Sequence, residues 1–418
     1  MNNKQFALQN LLLYRNILSD NIIKKLQLLW ERNCPHYIYY ELYSELLIKA
    51  EQLHLEGDLI KNYIIYLISK DENLFSKTVE KSNGTLATNS SLYQAALHDC
   101  KIFRDFLFRD LPAITGTDYI DLIQDFVPTV CCKEGNLSTL YNHFAAVIET
   151  PIDVLVQELA NHYSHYSCGI MSDYTALRWN SSIGLVGIKN YDTIQMQDIT
   201  GYEHQKETLL QNTLAFIKDK PANNILLIGS PGTGKSSSVK ALLNEPIFKN
   251  LRLIEVSKLE LKSLNQLLRI LRDYSQKFII FLDDLSFEEF EIEYKYLKSI
   301  IDGGVETTPP NVLIYATSNR MHLIKETWDD RKGTSDDVHR FDTVNEKLSL
   351  SDRFGITLTY LSPSQVEYLM IVEQLAFKNK INLPVEELHA AALRWERQHN
   401  GRSGRTGQQF INHLLSQQ

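Results

Sequence analysis

Apolar positions in the first 166 residues recur at the three-to-four spacing of amphipathic helices. Phe6, Leu8, Leu11, Leu12, Tyr14 and Ile17 follow it, as do Tyr40, Leu42, Leu46, Leu47 and Ala50. Further helices are expected over 91–110, 117–126, 136–149 and 152–165, between the breakers Asn83-Gly84, Leu111-Pro112 and Thr150-Pro151. From Cys168 to Asn190 the pattern shortens to alternating runs punctuated by Gly169, Gly184 and Gly187, which predicts a small β-ribbon or a linker. An amphipathic stretch from Gln205 to Ile217 follows. Strands and helices then alternate. Apolar runs at 225–228, 251–256, 278–282, 311–317 and 355–360 read as strands, with helical patterns over 259–274 and 287–301. Such alternation predicts an α/β fold, a parallel five-stranded sheet flanked by helices. After Pro363 only helical periodicity remains.

The expected organisation is a mostly helical N-terminal domain over 1–166, a linker or β-ribbon over 167–195, an α/β domain over 196–362 and a small helical lid over 363–418. At 418 residues, more than one core is required. The formal net charge of −8 gives no general attraction to a polyanion. Nucleic-acid binding would therefore need a local basic patch. In the N-terminal region Lys24, Lys25, Lys77, Lys81, Arg104 and Arg109 are interleaved with acids and form no stripe. Five cysteines, an odd count without a C-x-x-C pair, point to free thiols in a reducing cytoplasm. No stretch approaches the roughly 18 uninterrupted apolar residues that a membrane span needs, and the N-terminus does not read as a signal peptide.

Candidate chemistry changes this picture at one place. Residues 229–236, GSPGTGKS, match the phosphate-loop pattern G-x-x-x-x-G-K-[ST] at every position. An apolar strand precedes them and a helix is expected after. Gly229, Gly232 and Gly234 free the backbone so that the N–H groups of Ser230, Pro231's neighbours, Thr233 and Ser237 can surround one anion. Lys235 would reach the β- and γ-phosphates of ATP, and the Ser236 hydroxyl would ligate Mg²⁺. The strand 278–282 ends in Asp283-Asp284, where Asp283 is expected to hold Mg²⁺ through water. Asp284 is either the base that polarises the attacking water, with or without Glu288 or Glu289, or a cap of the following helix. Asn319 would orient that water or simply occupy a turn. Arg353, directly before the last strand, would stabilise γ-phosphate charge in a neighbouring subunit, and Arg405 with Arg402 would contact phosphate from the lid. His162, His165 and Cys168, three apart, could hold Zn²⁺. Their Tyr-rich surroundings and the lack of a second ligand pair favour packing. The pair Cys131-Cys132 reads as apolar filler.

Taken in order, the phosphate loop, Asp283-Asp284, Thr317-Ser318-Asn319, Ser351-Asp-Arg-Phe-Gly355 and Ser403-Gly-Arg405 resemble the AAA+ ATPases, most of all the replication-initiator and helicase-loader branch. The segments 201–207, 221–224, 283–289 and 316–320 look like an uncharacterised bacterial P-loop ATPase family, a domain of unknown function. The resemblance covers about 195–418. It implies an AAA+ nucleotide-binding domain, Asn319 as sensor 1, Arg353 as arginine finger, Arg405 as sensor 2, and a homo-oligomer with ATP at each interface. Two departures bear on activity. Asp284 stands where hydrolysing relatives carry glutamate, and 258–261 lacks the aromatic-hydrophobic-Gly loop of protein-threading relatives. The Tyr- and Leu-rich N-terminal domain suits a protein client better than DNA.

Overall fold

The computed structural model describes the chain except residues 1–5, 31–34, 36, 111–120, 130–149, 288–292, 303–306, 321–350, 400 and 418. It divides into two compact units, Met1–Asp173 and Tyr174–Gln418.

The first unit is helical. Its principal helices are α1 (Asn21–Trp30), α2 (Tyr37–Leu53), α3 (Leu59–Lys70), α4 (Leu74–Lys81), α5 (Ser91–Asp105) and α6 (Ile152–Tyr166). Side-chain caps set three of the starts: Asp58 accepts the Lys61 N–H, Ser90 the Tyr93 N–H, and Asn73 exchanges bonds with Ser76 in a capping box. The helix expected over 91–110 ends at Asp105 and continues as a π turn, Phe106–Asp110. Before α1 the chain makes two 3₁₀ turns, Ala7–Asn10 and Arg15–Ser19. The break between them leaves backbone donors without helical partners. The fully buried carboxylate of Asp99 on α5 accepts them, from Leu12 at 2.9 Å, Leu13 at 2.7 Å and Tyr14 at 3.2 Å.

His162, His165 and Cys168 turn to separate partners. His162 Nε2 lies 3.2 Å from the Ser69 carbonyl, His165 Nδ1 lies 2.7 Å from the Asn161 carbonyl, and Cys168 donates to Glu80 at 3.2 Å. Among the described residues no group of His, Cys, Asp and Glu is arranged to hold a metal ion. Cys100 and Cys168 are free and buried, whereas Cys34, Cys131 and Cys132 lie outside the described residues.

The second unit is built on a sheet of seven strands, which corrects the expected five. They are β1 (Ala176–Asn180), β2 (Gly184–Gly187), β3 (Ile225–Gly229), β4 (Leu251–Glu255), β5 (Lys277–Leu282), β6 (Val312–Ser318) and β7 (Ile356–Tyr360), in the order β2-β1-β4-β5-β6-β3-β7. Only the β1–β2 pair is antiparallel. The ribbon foreseen near 176–188 is thus part of the sheet, because β1 pairs with β4 in parallel register, Leu177 opposite Ile254. Every residue of β3 and β6 is buried, as expected of strands covered on both faces. Just before β3, the Asn224 side chain accepts the Ile314 N–H at 2.8 Å while its carbonyl accepts from Ile356 at 3.2 Å. One residue therefore registers β3 against both of its neighbours.

The helices of this unit are α7 (Glu203–Ile217), α8 (Lys235–Ala241), α9 (Leu264–Leu271), α10 (Glu293–Ile301), and the lid helices α11 (Gln365–Lys378), α12 (Val385–Gln398) and α13 (Gly404–Ser416). Residues 258–263, expected to open α9, instead form a 3₁₀ turn. The lid has its own small core around Tyr368, Val372, Leu388 and Phe410. Among the described residues no helix is long and apolar enough to cross a membrane.

One buried acid makes the first unit sensitive to pH. Burial pushes the Asp71 carboxyl up to about 6, although hydrogen bonds from Asn73 and Asn16 oppose the shift. A raised carboxyl pKa favours folding while the group is protonated. That contribution is complete below the ordinary carboxylate range and is lost as pH rises through about 6. The urea midpoint of the full chain should therefore fall between pH 4 and pH 6.5, and Asp71→Asn should flatten that slope. An unchanged slope in the variant would assign the dependence elsewhere.

Candidate nucleotide site

The site lies where three adjacent parallel strands end. Because β6 is inserted between β3 and β5, the phosphate loop after β3, Asp283 after β5 and Asn319 after β6 emerge side by side. Gly229 closes β3 at φ +136°, and a Cβ there would stand 1.9 Å from the Tyr360 carbonyl oxygen of β7. No other residue fits that crossing. The loop then turns through Gly232 and Gly234 at positive φ and enters α8, so its backbone donors and the helix N-terminus face one space. That space is a cavity of about 480 Å³.

Lys235 is buried at the mouth of α8. Its ammonium donates to the carbonyls of Gly229 at 2.8 Å and Ser230 at 2.7 Å and to Asn319 Oδ1 at 2.9 Å. Burial lowers its pKa; Asp284 and Asp283 oppose that shift and Arg405 reinforces it. The Ser236 hydroxyl donates to Asp283 Oδ1 at 2.5 Å, and Asn319 Nδ2 donates to Asp284 Oδ1 at 2.7 Å. Asp284 sits in the left-handed region at φ +52°. Residues 232–237, Asp283, Asp284, Asn319 and Arg405 all line the cavity. Gly229, Ser230 and Pro231 lead into it. Arg405 is held over the loop by the lid, its N–H donating to the Gly232 carbonyl at 3.3 Å. A Cβ on Gly232 would press on Ser403 Oγ at 2.9 Å.

Arg353 is not brought to this cavity. It pairs with Asp302, just after α10. Arg402 pairs with Glu396 at 3.4 Å and does not line the cavity. Glu288 and Glu289 lie outside the described residues.

The chain belongs to the family described as "Protein of unknown function (DUF815)". Residues 172–418 match it, which places the sheet, the cavity and the lid within the family's domain. In architecture this domain is a mostly parallel sheet flanked by helices, with a helical lid. Comparison with curated proteins gives no match. Solved structures to which the chain is similar include the RuvB Holliday junction branch migration motor of Thermotoga maritima, at 16% identity and a TM-score of 0.35. A mutant of that RuvB is 15% identical with a TM-score of 0.37. In each case the similarity covers 53% of this chain and 64% of the other.

Two features of the DUF815 domain are not evident from its motifs. Thr317, buried near the end of β6, donates its hydroxyl to Asp283 Oδ1 at 2.7 Å and accepts the Asp284 N–H at 2.9 Å. In the sequence it stands at the head of the Thr317-Ser318-Asn319 motif, where nothing assigns it a role of its own. The apolar wall of the cavity comes from Ile194, Ile199 and Tyr202 before α7 and from Ile371 and Leu375 of α11. The segment 198–203 is visible in the sequence as an approach to α7, but its place at the cavity depends on tertiary packing.

Thr317→Val preserves the branched shape and removes both hydrogen bonds. It leaves the Asp284 N–H unanswered, which should cost about 1–3 kcal/mol, readable as a lower urea midpoint. Thr317→Ser should recover most of the loss, and equal midpoints for the valine and serine variants would refute this account.

Proposed function

We propose that this protein binds ATP with Mg²⁺ and hydrolyses it slowly, in a reaction that depends on self-association. The observation that carries the reading is the convergence of Lys235, Ser236, Asp283, Asp284, Asn319 and Arg405 on one cavity at the tips of β3, β5 and β6. The donor set fits the ligand. Backbone N–H groups of 232–236, the Lys235 ammonium and the Arg405 guanidinium offer positive potential for a triphosphate. Ser236 and Asp283, already within hydrogen-bonding distance, are the oxygen ligands that Mg²⁺ prefers, and Mg²⁺ would supply charge neutralisation at the phosphates. Asp284 accepts the proton of the attacking water, and Asn319 holds its carboxylate in place. Arg353 acts on the site of a neighbouring subunit, which is why it need not face the cavity of its own chain.

The protein acts as a remodeller or loader of a protein client in the cytoplasm, captured by residues 1–166. Exposed Tyr37, Tyr40 and Ile48 on α2 and the absence of a basic stripe support a protein client over nucleic acid. A second reading, a nucleotide-dependent switch with little hydrolysis, is favoured by Asp284, one methylene shorter than the glutamate of hydrolysing relatives.

Lys235→Ala should abolish binding of a labelled ATP analogue. Arg353→Ala should bind normally yet lose turnover by ~10³-fold, and activity per subunit of the parent should rise with protein concentration. Normal binding by the first variant sinks the site assignment. Full, concentration-independent turnover by the second sinks the finger acting in trans, and turnover too slow to measure in the parent supports the switch. Asp284→Asn used as bait should retain the client, and removing residues 1–166 should abolish capture while sparing nucleotide binding. Capture by the truncated chain would place the client elsewhere.

A further inference from the structure

The cavity has two apolar walls on different elements. Ile194, Ile199 and Tyr202 belong to the segment before α7, and Ile371 and Leu375 to the lid helix α11. At the phosphate end the lid is held by the Gly232–Arg405 backbone contact. At the apolar end the two walls are joined by side chains that play no part in the chemistry above. Gln374, adjacent to Leu375, accepts the Thr200 hydroxyl and donates Nε2 to the Gln197 carbonyl at 3.1 Å. One turn further along α11, Lys378 pairs with Asp198 at 2.9 Å. The other oxygen of Asp198 accepts the Gln195 N–H at 3.0 Å, which fixes the carboxylate to its own turn. Asp198 and Thr200 line the cavity, whereas Gln374 and Lys378 do not.

We propose that Gln374 and Lys378 form a latch that sets how long a bound nucleotide stays, independently of the residues that act on its phosphates. A nucleotide leaving through the apolar end must part α11 from residues 194–202, and the contacts of Gln374 and Lys378 cross that seam. The Gln374 amide is well matched to it, because one face accepts from Thr200 and the other donates to Gln197, so neither Glu nor Ala can replace both bonds. The Lys378–Asp198 pair is the weaker part. Lys378 is 60% exposed, and a pair in that setting contributes little and is screened by salt. The two residues are positioning residues, acting on the ligand through Thr200 and Asp198. They leave the phosphate-loop contacts untouched, so release and hydrolysis can be altered separately.

The inference rests on the nucleotide reading, and one experiment separates the two. Full-length protein is loaded with a fluorescent ADP analogue and chased with excess unlabelled ADP in a stopped-flow instrument. Gln374→Ala should release about tenfold faster than the parent, the worth of two ordinary hydrogen bonds. Lys378→Ala should release about two- to threefold faster at low salt and match the parent near 1 M salt. Lys378→Arg should keep the parent's rate and salt dependence, a rescue that a general loss of stability in Lys378→Ala would not show. Should Gln374→Ala fold poorly, the exposed Lys378→Ala carries the test alone. Release at the parent's rate in both variants overturns the latch while leaving the nucleotide reading intact. A parent chain that binds no labelled ADP overturns both.

Discussion

The arrangement of the second unit depends on a place where a side chain is missing. The Tyr360 carbonyl of β7 occupies the position that a Cβ on Gly229 would take. This close approach lets β7 pair with β3 along its whole length, up to the residue at which the phosphate loop begins. Since the lid follows β7 after a short connection, its position over the loop derives from the same contact. Ser230 strengthens it by donating its N–H to the Tyr360 carbonyl at 3.1 Å. Both the phosphate loop and the element that covers it are thereby referred to one pair of backbones, and rigid backbones hold side chains more closely than loops do.

Around that fixed point the polar groups are shared, with few assigned to a single task. Asp283 Oδ1 receives hydroxyls from Ser236, after β3, and from Thr317, on β6. Asn319 uses its oxygen on Lys235 and its nitrogen on Asp284. Any group drawn toward a ligand must release a partner within the network, so the site exchanges one satisfied set of hydrogen bonds for another. Such exchange keeps the desolvation cost of the buried lysine from going unanswered.

Much of this was legible in the sequence, and the reasons differ from element to element. Strands β3, β5 and β6 are buried almost throughout and read as apolar runs, whereas the edge strand β7 alternates with threonines. The phosphate loop declares itself because its geometry demands glycine at fixed intervals. Strands β1 and β2 were harder to place. Their alternation announces strands, but β1 joins the sheet through β4, some 75 residues later, and pairing at that range leaves no local signal. The 3₁₀ turn at 258–263 is set partly by such contacts too, since Ser263 accepts from the Trp179 indole at 2.8 Å. Thr317 belongs to a recognisable motif, but its bridging role is hidden, because a hydroxyl joining two strand tips looks, in one dimension, like any β-branched residue. Arg353 was legible as a type and a spacing, while the partner it engages, Asp302, lies across the fold.

The Asp99 carboxylate has a consequence for how the first unit tolerates shortening. Three backbone N–H groups from residues 12–14 are its ligands, in the way that donors surround an anion at a binding site, except that here the anion belongs to the protein and the donors to its own leading segment. Trimming the chain past Tyr14 would remove all three donors and leave a carboxylate buried in an apolar interior with its contact to the ring of the adjacent His98. Domain boundaries chosen by helix limits alone, starting at Asn21, would cut through this arrangement. The leading segment is in effect a ligand the unit carries with it.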